Sequence, residues 1–185
     1  MKIIKRLICS ILLICFTLST LCSCFHPEHE DLKKLIKENG EYNEKNESYT
    51  LQLSEDTTLR CDEGLDGITL KVEFDFSALG YGSYSFYAHL YDSDRDNLSW
   101  SLYYHHKSNS YDARGKLNAS DITKGTNSLL VHDLEINYKP SDNYSIKREL
   151  AEFAASALIV GLEDLSDYLE KNSDYSLADY GFENF

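Results

Sequence analysis

The chain has 185 residues, of which 31 are acidic and 18 basic, giving a formal charge of −13. The negatively charged phosphates of a nucleic acid would be repelled by such an acidic surface, so a nucleic-acid partner is not expected. The length suits one domain with its own hydrophobic core behind a short N-terminal extension.

The N-terminus has the build of an export signal. Three basic residues precede an apolar run over residues 7–18, as in a secretory signal peptide. The run ends in Leu21-Cys22-Ser23-Cys24, in which an aliphatic residue and a small residue occupy the third and first positions before the last cysteine. This pattern resembles the lipobox of bacterial lipoproteins. The resemblance implies that residues 1–23 are removed and that Cys24 becomes a lipidated N-terminus.

Lipidation would determine where the protein resides. Two acyl chains hold a protein durably to a bilayer, whereas one chain holds it only marginally. We therefore expect Cys24 to anchor the chain in the bilayer of a bacterial cell membrane, on the extracytoplasmic face. An ordinary cleaved signal and an uncleaved anchor are the alternatives. Counted up to Cys22, the apolar run is about 16 residues long, just under the usual length of a membrane span.

Without residues 1–23 the chain has 162 residues, with 15 basic and 31 acidic side chains and a formal charge of −16. Cys61 is then the only cysteine apart from the lipid site. No intramolecular disulfide is expected, and the lone thiol is most simply a small buried apolar residue.

Residues 24–48 are predicted to form a polar membrane tether that contains one short helix. Leu32, Leu35 and Ile36 give an amphipathic pattern that stops at Asn39-Gly40, where the glycine would act as a C-cap. The polar stretch that follows, residues 41–48, is expected to be a flexible spacer.

Residues 49–185 are predicted to be one domain, because the hydrophobic period changes to two at Tyr49 and to about 3.6 after Pro140. A long helix is predicted over residues 146–171 with Ser145 as its N-cap, and residues 172–185 are expected to fold back as an aromatic tail. Residues 107–127 are polar and read as a loop with at most a short strand near residues 116–119. The predicted strands are residues 49–53, 57–61, 68–76, 84–91, 98–106 and 129–138.

Strands followed by one helix indicate an α+β domain: an antiparallel β-sheet meander with one long C-terminal helix packed on it. A β-sandwich with a terminal helix is the alternative.

The apolar residues also suggest a register for the pair of predicted strands formed by residues 84–91 and 98–106. Pairing Leu90 with Trp100 gathers the apolar side chains on one face, with Ala88 opposite Leu102 and Phe86 opposite Tyr104. On the other face this register places Tyr87 opposite Tyr103, His89 opposite Ser101 and Ser85 opposite His105.

That second face is rich in tyrosine and is the candidate ligand-binding surface. Its predicted members are Tyr87, Tyr103, His89 and Tyr91. Tyrosine is favoured at binding surfaces because it combines contact area and a hydroxyl with a low entropic cost. A purely structural alternative is that the long helix covers this face and leaves nothing to bind.

Two groups of side chains resemble metal ligands. Asp92, Asp94 and Asp96 have a spacing that could gather oxygen ligands around calcium, but Asn97 and Tyr103 stand where an EF-hand needs glycine and glutamate. A turn rich in Asp and Asn is the simpler interpretation. His89, His105 and His132 could bind zinc only if the fold gathered them. No cofactor is expected.

The sequence has no nucleophile elbow, P-loop, CxxC or GxGxxG motif, so an enzyme is not expected. Two hypotheses for function remain. The first is a membrane-anchored binding or protein-interaction module. The alternative is a carbohydrate-binding module that stacks its exposed aromatic residues on sugar rings.

Overall fold

The computed structural model of the chain describes residues 27–64, 67–79, 82–90, 97–106, 109–118, 122, 132–136, 144–182 and 184–185. The predicted signal peptide and its lipobox lie outside these residues.

The described residues form one antiparallel sheet of eight strands, and each strand pairs with the next strand in the chain. This order confirms the predicted meander and differs from the sandwich alternative, which needs two sheets. The strands are β1 (Glu41–Asn43), β2 (Ser48–Gln52), β3 (Thr57–Asp62), β4 (Ile68–Asp75), β5 (Ser83–His89), β6 (Asn97–His106), β7 (Asn109–Asn118) and β8 (His132–Ile136).

Two helices accompany the sheet, α1 (Pro27–Asn39) and α2 (Tyr144–Asn172). The α1 helix lies against β2 and β3, and α2 crosses β4, β5 and β6. The long α2 helix was predicted within two residues at each end. It begins at Tyr144, so Ser145 lies inside the helix rather than at its N-cap.

Period-two alternation builds the core on one face of the sheet. A single row crosses six strands, and each of its members is the register partner of the next. Every residue of this row is buried: it consists of Leu51, Leu59, Leu70, Ala88, Trp100 and Gly115. Both helices pack over this inner face, and their apolar side chains complete the same core.

The loop predicted over residues 107–127 is wrong for its first half, because residues 109–118 form the ten-residue strand β7. The inward positions of this strand include Ala113 and Gly115. Such small residues give no apolar alternation for sequence reasoning to detect. Glycine is required here, since a Cβ on residue 115 would lie 2.7 Å from three atoms of the Trp100 ring.

The predicted register of β5 and β6 is wrong by two residues. Trp100 pairs with Ala88 rather than Leu90, Leu102 pairs with Phe86, and Tyr104 pairs with Tyr84. A shift of two keeps every side chain on its predicted face, because side chains alternate with a period of two. The predicted face of each side chain is therefore confirmed, although the predicted residue pairs are wrong.

The segment predicted as a polar tether belongs to the folded domain from Pro27 onward. Leu32 and Ile36 on α1 are fully buried, and Glu41–Asn43 pairs with β2 where a flexible spacer was expected. Gly40 does follow the helix, but its φ is not left-handed. It is required instead for close approach, since a Cβ there would lie 2.8 Å from the carbonyl oxygen of Thr50.

The α2 helix packs tightly on β4 at Gly161, where a Cβ would lie 2.8 Å from side-chain atoms of Leu70 and Val72. The helix is largely covered over residues 154–162, as predicted, although Val160 remains 37% exposed. Phe153 is only partly buried and packs with its ring centroid 4.1 Å from that of Tyr84.

The C-terminal tail folds back onto the core, as predicted. Leu177, Tyr180 and Phe182 are buried. A capping box between Ser176 and Asp179 starts the turn that carries the first two of them.

Candidate functional site

The face of the sheet opposite the helices, here called the open face, carries the tyrosine-rich surface. All the described outward side chains of β3 to β7 are half-buried or exposed, whereas their inward neighbours are mostly buried. This arrangement argues against the structural alternative in which α2 covers the tyrosines, because α2 packs on the inner face.

Tyr87 and Tyr103 come together on the open face even though they are not register partners. Tyr87 pairs with Ser101 and Tyr103 pairs with Ser85, so the two rings meet across a diagonal. Their centroids are 5.8 Å apart and their planes are inclined at 77°, the edge-to-face geometry that aromatic pairs prefer. The predicted contact is present, but it arises from the diagonal pairing.

Lys71 on β4 extends this group. Its Nζ lies over the Tyr87 ring, 5.9 Å from the centroid, and 2.8 Å from Oε1 of Glu73. The first contact is a cation–π interaction at the outer limit of its useful distance. We call Lys71, Tyr87, His89 and Tyr103 the tyrosine patch.

His89 lies at the exposed end of β5. Its Nδ1 is 3.1 Å from Oγ1 of Thr69, its register partner on β4. The hydrogen bond fixes the orientation of the imidazole on the open face. Tyr91, the fourth tyrosine-face residue predicted from the sequence, lies outside the described residues.

Small side chains separate the patch from two exposed cations. In one row Tyr87 pairs with Ser101, which pairs with Arg114; in the next, His89 pairs with Ser99, which pairs with Lys116. The side chains of Ser99 and Ser101 on β6 are short, so they leave a shallow depression between the aromatic residues of β5 and the long basic side chains of β7.

Other charges on the open face are locally balanced. Lys71 forms an ion pair with Glu73 on the same strand, and Nη2 of Arg60 lies 2.6 Å from Oδ1 of Asp62. Such exposed ion pairs add at most about 1 kcal/mol to stability. Their main effect is that this part of a strongly acidic protein is close to neutral.

The structure does not gather the three histidines of the zinc hypothesis. His105 pairs with Ser83, six positions from His89 along β5, a separation of about 20 Å. His132 shares a row with His89 but lies three strands away, about 14 Å across the sheet. Among the described residues no group of three or more His, Cys, Asp or Glu is placed to hold a metal ion.

The remaining predicted sites give no further chemistry. Cys24 and the calcium candidates Asp92, Asp94 and Asp96 lie outside the described residues. Cys61 is buried, and desolvation raises the pKa of its thiol, which keeps it protonated and unreactive.

Sequence reasoning missed Lys71, Arg114 and Lys116 as neighbours of the tyrosines. The alternation of β4 was visible in the sequence and pointed Lys71 outward, so it could have been included. The two cations of β7 could not, since only a short strand near residues 116–119 was predicted there and its pairing was not.

No helix in the described part of the chain is both long enough and apolar enough to cross a bilayer. Comparison of the sequence and structure with models of known protein families, with curated proteins and with solved structures found no significant match.

Proposed function

We propose that the chain is a membrane-anchored, extracytoplasmic binding module that engages a polypeptide partner through the open face of its sheet. The observation that carries this proposal is the tyrosine patch. Its aromatic side chains are held by cross-strand contacts on the face that the helices leave uncovered.

The geometry of the rings favours a polypeptide over a saccharide. Tyr87 and Tyr103 are inclined at 77°, so one flat sugar chain cannot stack on both rings at once. Around them the open face is broad, and short serine and threonine side chains separate the larger ones. A surface of this kind can exclude water around a few aromatic anchors, which is how protein interfaces gain most of their affinity.

The charge of the domain restricts the partner. A net charge of −16 repels anionic molecules at long range, while the patch itself is close to neutral. A neutral or basic polypeptide therefore fits this surface, and binding should weaken with salt in proportion to the basic charge of the partner.

Anchoring at Cys24 is the second part of the proposal and has its own test. Mass spectrometry of the protein extracted from membranes is expected to show a diacylglyceryl adduct on Cys24 as the first residue. An unmodified N-terminus at a different residue would contradict it. A Cys24→Ser variant, which lacks the thiol that forms the thioether, is expected to lose the adduct.

Binding through the patch is tested with the variant Tyr87→Ser/Tyr103→Ser. We expect at least about a tenfold loss of affinity for the polypeptide ligand found in a panel of purified cell-surface proteins and glycans, since aromatic hot spots typically contribute 2 kcal/mol or more. A matched control, Tyr42→Ser/Tyr175→Ser, removes two exposed tyrosines elsewhere, 45% and 41% accessible. It is expected to bind like the wild type.

Two results would contradict the proposal. Equal binding by the patch variant and the control variant would show that the open face does not take part in the interaction. A patch-dependent glycan ligand would instead support the carbohydrate-binding alternative.

A further inference from the structure

Two neighbouring rows of the open face carry no acidic residue from β2 to β7. Each member of a row is the register partner of the next. The first row is Thr50, Arg60, Thr69, His89, Ser99 and Lys116, and the second is Gln52, Thr58, Lys71, Tyr87, Ser101 and Arg114. Asp and Glu make up 31 of the 185 residues, yet these rows hold four Lys or Arg, one His and no Asp or Glu. We call the two rows the basic strip.

The four cations of the basic strip differ in their neighbours. Arg60 and Lys71 form the ion pairs described above, and Arg114 is the register partner of Glu135 on β8. Lys116 is exposed, and no ion pair joins it to another residue in the described ranges. Lys116 is therefore the cation that can meet an anionic ligand without first giving up such a contact.

Lys116 and His89 lie on opposite sides of Ser99, across the shallow depression. Two strand spacings separate their Cα atoms by about 10 Å, and both side chains are long enough to reach a group held above the serine. The contact with Oγ1 of Thr69 occupies Nδ1 of His89, so Nε2 is the ring nitrogen that a ligand meets. Ser99 and Ser101 add two hydroxyls. The depression is thus bordered by an ammonium, an imidazole and two hydroxyls, with no acidic side chain in either row.

We infer that the shallow depression binds a carboxylate of the polypeptide partner, held above Ser99 between Lys116 and His89. This inference rests on the proposed function and names the group that the partner places beside the tyrosine patch. A carboxylate has only acceptor oxygens, which match the ammonium and the hydroxyls, and hydrogen bonds to ionised groups are stronger than those between neutral groups. The carboxylate belongs either to an Asp or Glu side chain or to the C-terminus of the partner.

The extent of the basic strip limits the ligand to a single carboxylate. The next row along the strands has Glu73 and Asp112 at its two ends, so a longer acidic segment would meet like charges. The formal charge of −16 repels each further negative charge as well. At physiological salt the Debye length is about 8 Å, so distant acids act weakly on one carboxylate in contact with Lys116. The partner therefore remains neutral or basic overall, as proposed above.

The test is affinity selection from a synthetic library of random peptides, amidated at the C-terminus, on the full-length protein in phosphatidylcholine nanodiscs. Selected peptides that fail to bind Tyr87→Ser/Tyr103→Ser are resynthesised with each Asp or Glu changed to Asn or Gln. We expect one such change to lower the affinity for the wild type about three- to tenfold, since it removes an ion pair with Lys116. A second library, with a free C-terminus and no Asp or Glu, shows whether a terminal carboxylate binds in the same way, because amidation of its peptides should then cause the same loss.

A double-mutant cycle assigns this loss to Lys116. In Lys116→Gln the same peptide change should cost less than about twofold, whereas Lys116→Arg, which keeps the charge, should retain most of the loss. The matched control is Lys171→Gln. Lys171 is exposed in the last turn of α2, and its replacement changes the net charge equally, so this variant should retain the full effect of the carboxylate.

The outcomes separate the inference from the proposed function. If no peptide is selected, or if the carboxylate matters as much in Lys116→Gln as in Lys171→Gln, the inference is wrong and the proposed function is decided by its own test. The same holds if removing every carboxylate from the patch-dependent peptides leaves their affinity unchanged. Selected peptides that all bind Tyr87→Ser/Tyr103→Ser as tightly as the wild type would contradict the proposed function, and the inference falls with it.

Discussion

At the scale of single residues, the Trp100 indole fits in the core because residue 115 of the neighbouring strand is glycine. Trp100 and Gly115 are register partners, and the missing Cβ leaves space for the edge of the ring. The fit is close but not complete, because Nε1 of Trp100 is buried without a hydrogen-bond partner among the described residues. An unpaired buried donor of this kind costs about 1–3 kcal/mol.

We expect Gly115→Ala to lower the free energy of unfolding by about 1–3 kcal/mol, because the new methyl group overpacks the core against the indole. In a Trp100→Phe background the same change is expected to cost less, since phenylalanine lacks the second ring. Urea unfolding of the four proteins in this double-mutant cycle measures the coupling. An equal cost in both backgrounds would mean that Trp100 is not what excludes a side chain at residue 115.

At the scale of elements, the sequence predicts those whose side chains repeat regularly over many residues. The β4 strand alternates over its whole length and α2 has an apolar core of nine residues, so both were found within two residues. Most of the β7 strand was missed because two of its inward positions are Ala113 and Gly115. The register of β5 and β6 was missed because a shift of two leaves the same faces apolar, so alternation alone does not distinguish the two registers.

A polar contact joins α2 to the turn between β2 and β3. Oδ2 of Asp164 accepts hydrogen bonds from the Ser54 hydroxyl at 2.8 Å and from the Thr57 hydroxyl. Thr57 is fully buried, so its hydroxyl depends on this carboxylate. The contact fixes the position of the helix along the sheet, which the apolar residues alone do not specify.

Asp164→Ala is expected to lower the free energy of unfolding by about 1–3 kcal/mol, because it leaves the buried Thr57 hydroxyl unpaired. The control is Asp167→Ala on the exposed side of the same helix, which should change stability by less than about 0.5 kcal/mol. Chemical denaturation of both variants compares them directly. Equal effects would show that the loss of negative charge, and not the contact with the turn, determines stability here.

At the scale of the whole molecule, the domain has two unlike faces. One face of the sheet is covered by both helices and the C-terminal tail, and the other carries the tyrosine patch. The sequence placed Tyr87, Tyr103 and His89 on the same face because alternation alone decides that. The same alternation places Lys71 on this face, but the basic residues of β7 could not be placed beside the tyrosines, because that depends on which strands pair and in what register.

The central claim is that the two patch tyrosines are available to a partner and are not part of the core. The unfolding free energy of Tyr87→Ser/Tyr103→Ser tests it most directly, with Phe86→Ala as the reference. Phe86 is next to Tyr87 on β5, points to the opposite face of the sheet and is fully buried, so its loss should cost about 3–5 kcal/mol. Half-buried rings that contact each other should together cost less, about 1–3 kcal/mol from their pairing and strand preference. A double variant less stable than Phe86→Ala would place the tyrosines in the core and contradict the claim.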